Sequence, residues 1–566
     1  MNAFAQSDHP WRWLALWCAL LLPLAILVPP IPIDETRYLT AAWEMFNSGQ
    51  WLVPTVNHAW YSDKSPLLFW LIAGGWKIFG VHTWVARVEA LVIAFGMLLA
   101  LRRLAARLGM DARGADTAMW LLAGALGFAV FSTAIMFDLL LSLTVLGALH
   151  ALLDLDAGRW KRGIAWLGLM TGLGLLAKGP VMLLAIAGVA LLAAVWSDTA
   201  RSHALRWYLA VVAGLLIGVA ILACWLLPAA WYAGPAYWHP LLEKVAGRID
   251  RSFAHGRPWW WYLPVLPVLL LPWLLVLRAP RAAWANVWRG RFGRFVACWW
   301  VPPFVAFCAI SGKQIHYLLP LLPAWALAGA WLLQQAGARL RPWLFGLLAI
   351  LAAAGIAALP WLVARAFGYA PPHAVALLAA VALVVAVGAW RAWGRSARGL
   401  ALSATALLSV ALLAATLAMR PAIDVQPAAA FVRQTLRAHI PIVHITWQDG
   451  LFGYAGRLEQ PLPWITRPQL LPWCLAHPDG IVLVSESHND PEAGKPFKTW
   501  PYFGSRDHRI AAWRAADILA TRRAAAASQK HPEPQQSTRA RAGERGWSTA
   551  AGAGFTLFRV LSPLHV

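Results

Sequence analysis

The chain has 566 residues, 60% of them hydrophobic and only 13% charged, with a mean hydropathy of +0.57 and a formal net charge of +23. Charged residues make up about a quarter of a soluble protein. That excludes a wholly soluble fold, and runs of ~20 apolar residues from Trp11 to about Met419 mark a polytopic membrane protein. The positive charge does not point to nucleic acid, because most Arg and Lys lie in short loops between apolar runs or in the C-terminal tail.

In chain order, the first run is too long for a cleavable signal peptide, has no small-x-small cleavage site, and ends in Pro29-Pro30-Ile31-Pro32. Thirteen candidate spans follow the hydropathy: 11–30, 84–103, 114–132, 134–153, 161–178, 180–196, 206–230, 259–278, 292–310, 314–334, 342–364, 373–390 and 399–419. Alternate loops carry about twice as many Arg and Lys as the others, with clusters at Arg102, Arg103 and Arg107, at Arg159, Lys161 and Arg162, and at Arg289, Arg291 and Arg294. The positive-inside rule places those loops and the N-terminus in the cytoplasm, and an odd number of spans places the C-terminus outside. Cys18, Cys224, Cys298, Cys308 and Cys474 are scattered with no metal spacing, so neither a disulfide framework nor a cysteine metal site is expected. The 37 Trp residues fit aromatic belts at the two interfaces.

The membrane domain is expected over 1–420, with long outer loops at 31–83 and 231–258. Asp34 to Gly49 reads as an amphipathic helix stopped by its glycine, and Ser65 to Phe79 as a short apolar segment lying at the interface. From 421 to 566 short apolar runs alternate with turn signals, which predicts a small α/β domain outside the membrane. Its expected elements are a helix over 427–438 and strands at 440–445 and 480–484. The stretch 521–546, rich in Ala, Gln, Arg and Pro, reads as disordered, and 554–560 as a returning strand.

Ionisable groups at or within a membrane are costly and usually functional. Asp34, Glu35, Asp63, Lys64, Asp138, Lys178, Lys244, Arg248, Arg251, His255, Lys313 and His316 all map to the outer face. Polar loops account for some of them, but Asp138 and Lys178 lie inside apolar runs. These residues predict one polar cavity at the outer leaflet, built from distant parts of the chain.

The segments holding them are Asp34-Glu35-Thr36-Arg37-Tyr38, Trp51-Leu52-Val53-Pro54, Tyr61-Ser62-Asp63-Lys64-Ser65-Pro66, Met136-Phe137-Asp138, Ala177-Lys178-Gly179-Pro180 and Lys313-Gln314-Ile315-His316-Tyr317. In order and side they resemble, over about residues 11–420, membrane glycosyltransferases of the GT-C fold, in particular the superfamily of aminoarabinose lipid A transferases and protein mannosyltransferases. Members commonly have Glu-Lys-Pro-Pro where this chain has Asp63-Lys64-Ser65-Pro66. The resemblance implies an inverting transferase in a bacterial inner membrane, with its active site and C-terminus in the periplasm. Such an enzyme moves a sugar from a polyprenyl-phosphate carrier to a lipid, glycan or protein acceptor.

That chemistry needs a carboxylate to orient the acceptor and, where it is a hydroxyl, to deprotonate it. Asp34 is the candidate by position and resemblance, with Glu35 and Asp138 as further catalytic candidates. Asp34 is also a favoured residue type for a helix N-cap. The departing lipid phosphate needs fixed positive charge, for which Lys64, Lys178, Lys313 and either Arg248 or Arg251 are candidates, with Tyr317 as a hydrogen-bond donor. Asp34, Asp63 and His255 offer ligands for a divalent metal bridging to phosphate, although no spacing enforces one. A lipid-linked sugar transporter is the competing reading, and it would place charge at the membrane midplane and show internal repeats, neither of which the sequence has.

Overall fold

The structure, a computed structural model, describes residues 10–239, 256–335, 338–375, 377–382, 384, 396–485, 495–504 and 509–530. The first helix, α1 (Pro10–Leu27), is anchored in the bundle by Trp17, whose Nε1 donates to the carbonyl of Ala123 at 3.1 Å. After the prolines the chain enters α2 (Asp34–Ser48). Two carboxylates in its first turn suit the positive end of the helix dipole. Gly49 ends the helix at φ 72°, a left-handed conformation that costs glycine nothing.

A two-residue hairpin follows, β1 (Thr55–Val56) with β2 (Ala59–Trp60), turned by Asn57 and His58 at φ 53° and 60°. Next comes α3 (Leu67–Phe79), whose 13 residues span about 20 Å, too short for a ~30 Å hydrocarbon core. The bundle continues through α4 (Thr83–Arg107), α5 (Ala112–Ala123), α6 (Leu126–Phe131), α7 (Phe137–Asp156), α8 (Trp160–Lys178), α9 (Val181–Leu191) and α10 (Ala204–Ala233). It is completed by α11 (Arg291–Ala309), a 3-10 turn (Ile315–Leu321) leading into α12 (Leu322–Gln335), α13 (Pro342–Phe367) and α14 (Ala397–Ile423). Small residues bring α8 and α10 together: a Cβ on Gly172 would come within 2.7 Å of Ile221, so any larger residue separates the helices.

Among the described residues, seven helical stretches are long and apolar enough to cross a membrane, and three shorter apolar helices accompany them. The expected thirteen spans are therefore not thirteen continuous helices. The span expected over 114–132 divides into α5 and α6 at Gly124, where a Cβ would lie 2.7 Å from the Ala401 backbone. The one expected over 259–278 is a series of short helices, with Pro272 between Tyr262–Leu269 and Trp273–Val276. The one over 373–390 falls largely outside the described residues.

The C-terminal domain opens with α15 (Gln426–Arg437) and β3 (Ile442–Ile445), as the sequence pattern predicts. It continues with α16 (Gly453–Gly456), β4 (Trp464–Ile465), β5 (Ile481–Val484), β6 (Lys498–Pro501), β7 (Arg509–Arg514) and α17 (Ala515–Lys530). The sheet order is β4-β3-β5-β7-β6, parallel among β4, β3 and β5 and antiparallel beyond. One apolar layer, including Val432, Leu483 and Ile510, joins the sheet to α15, and another, including Val443, Val482 and Ile518, joins it to α17. The stretch expected to be disordered from Thr521 begins inside α17, whose alanines are strong helix formers, and continues past the described residues. The strand expected at 554–560 also lies outside them.

This domain docks on α2. Thr40 Oγ1 donates to the Gly450 carbonyl at 2.7 Å and accepts from the Tyr454 amide at 2.9 Å. Trp43 Nε1 donates to the Leu458 carbonyl at 2.9 Å, and the Tyr454 ring stacks on Trp76 with centroids 5.3 Å apart. One side of α2 is thus fixed to the bundle and another to the C-terminal domain.

Candidate active site

The site is organised by Glu35. Its side chain is buried and receives Arg87 Nη2 at 2.6 Å and Nη1 at 3.1 Å, the Ile31 amide at 2.8 Å and the Ile135 amide at 3.0 Å. Arg87 also donates to the carbonyls of Pro29 and Thr133, each at 2.8 Å. One ion pair therefore joins the turn before α2, the segment before α7, and α4. Glu35 was expected among the catalytic residues, but its acceptor capacity is taken up by these four bonds. Arg87 was not singled out from the sequence, although a guanidinium inside the apolar run of α4 is the kind of signal that marks a buried partner.

With Glu35 turned inward, its neighbour Asp34 points about 100° away around the helix. Asp34 does not cap α2: the cap position is Ile33, and no side-chain cap bond forms there. Its side chain is 25% exposed and receives Arg37 Nη2 at 2.5 Å. Burial pushes this carboxyl up, but the charges of Arg37, His316 and Lys64 outweigh burial and hold it below the ordinary carboxylate range.

Asp138 sits in the first turn of α7 with a side chain only 2% exposed. Lys178, the last residue of α8, donates its ammonium to Asp138, and His316 Nε2 lies 3.7 Å from the other carboxylate oxygen. The Lys178 ammonium also stands 4.4 Å from the centre of the Tyr317 ring. Lys64 Nζ lies 6.0 Å from the Tyr38 ring and 5.9 Å from Phe137, whose rings meet edge-on at 4.9 Å. His316 feels the charge of both Asp34 and Asp138, which places the two carboxylates in one cluster. Asp34, Lys64, Asp138, Lys178 and Tyr317, predicted from separate segments, are brought together.

Other expected residues fare differently. The Lys313 ammonium is bonded to the carbonyls of Ile310 and, at 3.1 Å, Arg257, while the Arg257 amide donates to Ser311 at 3.0 Å. Lys313 thus pins the segment at Arg257 to the turn before α12. Arg248, Arg251 and His255 lie outside the described residues. Asp63 is half-buried in its loop. Among the described residues, no three His, Cys, Asp or Glu groups converge as a metal set; of the expected metal ligands, Asp34 is paired with Arg37 and His255 is not among those residues.

Two further polar residues enter the cluster. Arg37 Nη1 donates to Asp449 of the C-terminal domain at 3.0 Å. The buried Tyr61 hydroxyl has no hydrogen-bond partner among the described residues. No local sequence pattern marked Asp449, which is 412 positions from Arg37.

Residues 63–227 match the dolichyl-phosphate-mannose-protein mannosyltransferase family. The chain is 33% identical over 337 residues to the undecaprenyl phosphate-alpha-4-amino-4-deoxy-L-arabinose arabinosyl transferase of Pseudomonas aeruginosa, a match covering 56% of this chain and 60% of that protein. It is 31% identical over 360 residues to a protein of the same name, numbered 1, in Pseudomonas fluorescens, covering 60% of this chain and 62% of the relative. The match thus spans about three-fifths of these relatives' length. The crystal structure of ArnT from Cupriavidus metallidurans bound to undecaprenyl phosphate superposes with a TM-score of 0.67 at 20% identity, over 89% of this chain and 97% of that one. Motif order and matched segments agree: the chain has the fold of the ArnT crystal structure and is similar, over part of its length, to aminoarabinose transferases and to the protein mannosyltransferase family.

Proposed function

We propose that this protein is an inverting glycosyltransferase that moves a sugar from a polyprenyl-phosphate carrier to an acceptor at the outer face of a bacterial inner membrane. The observation that carries the reading is the meeting of Asp34 and Asp138 with Lys64, Lys178 and Tyr317 at one end of the bundle. Asp34, kept ionised by its neighbours, orients the acceptor and takes its proton when the acceptor is a hydroxyl. The acceptor oxygen bonds to the anomeric carbon as the carbon–oxygen bond to the lipid phosphate breaks. The electron pair leaves with the phosphate, whose charge Lys64 and Lys178 meet and to which Tyr317 can donate. Asp138 holds Lys178 in place. Glu35 and Arg87 fix the first turn of α2 and touch neither substrate.

The orientation has its own support. At the end of α7 opposite Asp138, Asp154 collects Arg107, Arg159 and Arg162, and the same end carries Arg201 and Arg291. A basic end is the cytoplasmic end under the positive-inside rule, which puts the site and the C-terminal domain in the periplasm.

The names of the Pseudomonas relatives favour undecaprenyl-phosphate-linked aminoarabinose as donor, and lipid A is the acceptor that the motif resemblance implies. The mannosyltransferase match favours a protein acceptor as the second reading. Membranes containing wild type, Asp34→Asn or Lys64→Ala are given the undecaprenyl-phosphate-linked sugar, and lipid A and envelope proteins are analysed by mass spectrometry. A pentosamine added to lipid A by wild type, reduced at least about 100-fold in both variants, is the expected result. Wild-type turnover in both variants sinks the site; sugar on protein with lipid A unchanged selects the second reading.

A further inference from the structure

We propose that Asp449 of the C-terminal domain is a positioning residue for transfer, fixing the Arg37 guanidinium that in turn fixes the Asp34 carboxylate. The inference rests on the reading of Asp34 as the acceptor-side residue. Arg37 bridges two carboxylates that lie in different domains: Nη2 to Asp34 Oδ1 at 2.5 Å and Nη1 to Asp449 Oδ2 at 3.0 Å. Its Nε is buried with no hydrogen-bond partner among the described residues, so the two carboxylates set the plane of the guanidinium. Held by Asp34 alone, that plane could turn about the shared bond. Held by both, it cannot turn without breaking one of them.

Asp449 is itself held. Trp447 Nε1 donates to its Oδ1 at 2.7 Å, and Gln448 Nε2 donates to Ser485 Oγ at 2.6 Å. Asn57 donates its side-chain amide to the Gln448 carbonyl. The loop turns through Thr446 at φ 74° and Gly450 at φ 69°, both in the left-handed region. It also lies directly on α2: a Cβ on Gly450 would come 3.1 Å from the Arg37 Cα and 3.0 Å from the Thr40 Cβ. The carboxylate therefore reaches Arg37 from a loop with little freedom.

A plain docking role explains less. Asp449 is 44% exposed, and such solvent-screened pairs contribute little to stability. Docking is already supplied by the Thr40, Trp43 and Tyr454 contacts. The Arg37 bond adds a second restraint on a guanidinium already committed to Asp34, and holding a reactive group in register is worth up to about 100-fold in rate.

The test uses the purified full-length protein, with undecaprenyl-phosphate-linked aminoarabinose and lipid A. Asp449→Asn is expected to lower kcat about 10- to 100-fold while both KM values stay within about two-fold, and Asp449→Glu to restore most of the rate. In an Arg37→Gln background, Asp449→Asn should cost nothing further. Thr40→Val, which weakens docking without touching Arg37, should lower the unfolding temperature and have the same effect in either background. Wild-type kcat in Asp449→Asn, or a loss that multiplies fully with Arg37→Gln, overturns the proposal. Asp34→Asn is measured alongside. If it is inactive while Asp449→Asn is normal, only this inference fails; if it is fully active, the reading of Asp34 fails with it.

Discussion

Asp138 and Asp154 lie on the same helix, about 24 Å apart along α7, and both side chains are nearly inaccessible at 2% and 3% exposure. Their partners differ. Asp154 is met by three guanidinium groups at 2.6, 2.6 and 3.1 Å, from side chains that are 26%, 49% and 74% exposed. Asp138 is met by one ammonium from a side chain 10% exposed and by a histidine 12% exposed. At the Asp154 end, cations outnumber the carboxylate and keep much of their hydration, so each pair is worth little and the cluster as a whole sets orientation. At the Asp138 end, the ammonium is buried where fields are strong, and a phosphate brought there would meet it at short range. The lesson is that burial of the cations separates a site from a topological anchor; burial of the carboxylate does not.

The largest effect should come from the cation at the site end. Lys178→Met removes the ammonium from Asp138 and from the phosphate, and transfer should fall about 100- to 1000-fold. The unpaired Asp138 should also cost roughly 3–5 kcal/mol of stability, read as a lower unfolding temperature in detergent. Loss of stability with turnover intact would reduce Asp138–Lys178 to an anchor like its counterpart. Asp154→Asn should do much less. Its arginines can turn to water, so about 1–2 kcal/mol of stability and no more than a two-fold change in turnover are expected. A loss of transfer comparable to that of Lys178→Met would erase the distinction between the two ends.

How much of this was legible in the sequence depends on the range of each contact. α2 and its stop at Gly49 follow from a local pattern, and so do β3 and β5. Asp138 and Lys178 stood out because charge inside an apolar run needs a partner, and each is the other's partner. A linear view favours Asp34 for the acceptor side but leaves the place of Glu35 open. Which of two adjacent carboxylates faces inward was decided by Arg87 on α4 and by backbone amides of Ile31 and Ile135. The two backbone carbonyls that Lys313 meets were not legible, because a lysine beside a span end carries no local mark of its partners. Which of the expected spans are single continuous helices was not legible, because hydropathy does not register where a helix breaks, as at Gly124 pressed on Ala401 or at Pro272.

The smallest effect concerns pH, and it follows from the cations around Asp34. A carboxyl whose folded value lies below its ordinary 3.8 contributes stability that is fully present above 3.8 and is lost only as pH falls through the lower folded value. Asp34 should therefore stay ionised from pH 8 down to pH 5, and neither stability nor kcat should change through this group across that window. Profiles of kcat for wild type and Asp34→Glu over pH 4.5–8 check it. An acid limb above pH 5 that is common to both belongs to another group. A limb above pH 5 that moves with the substitution would mean that Arg37, Lys64 and His316 do not hold the carboxyl down, and that the site end is less strongly cationic than its geometry implies.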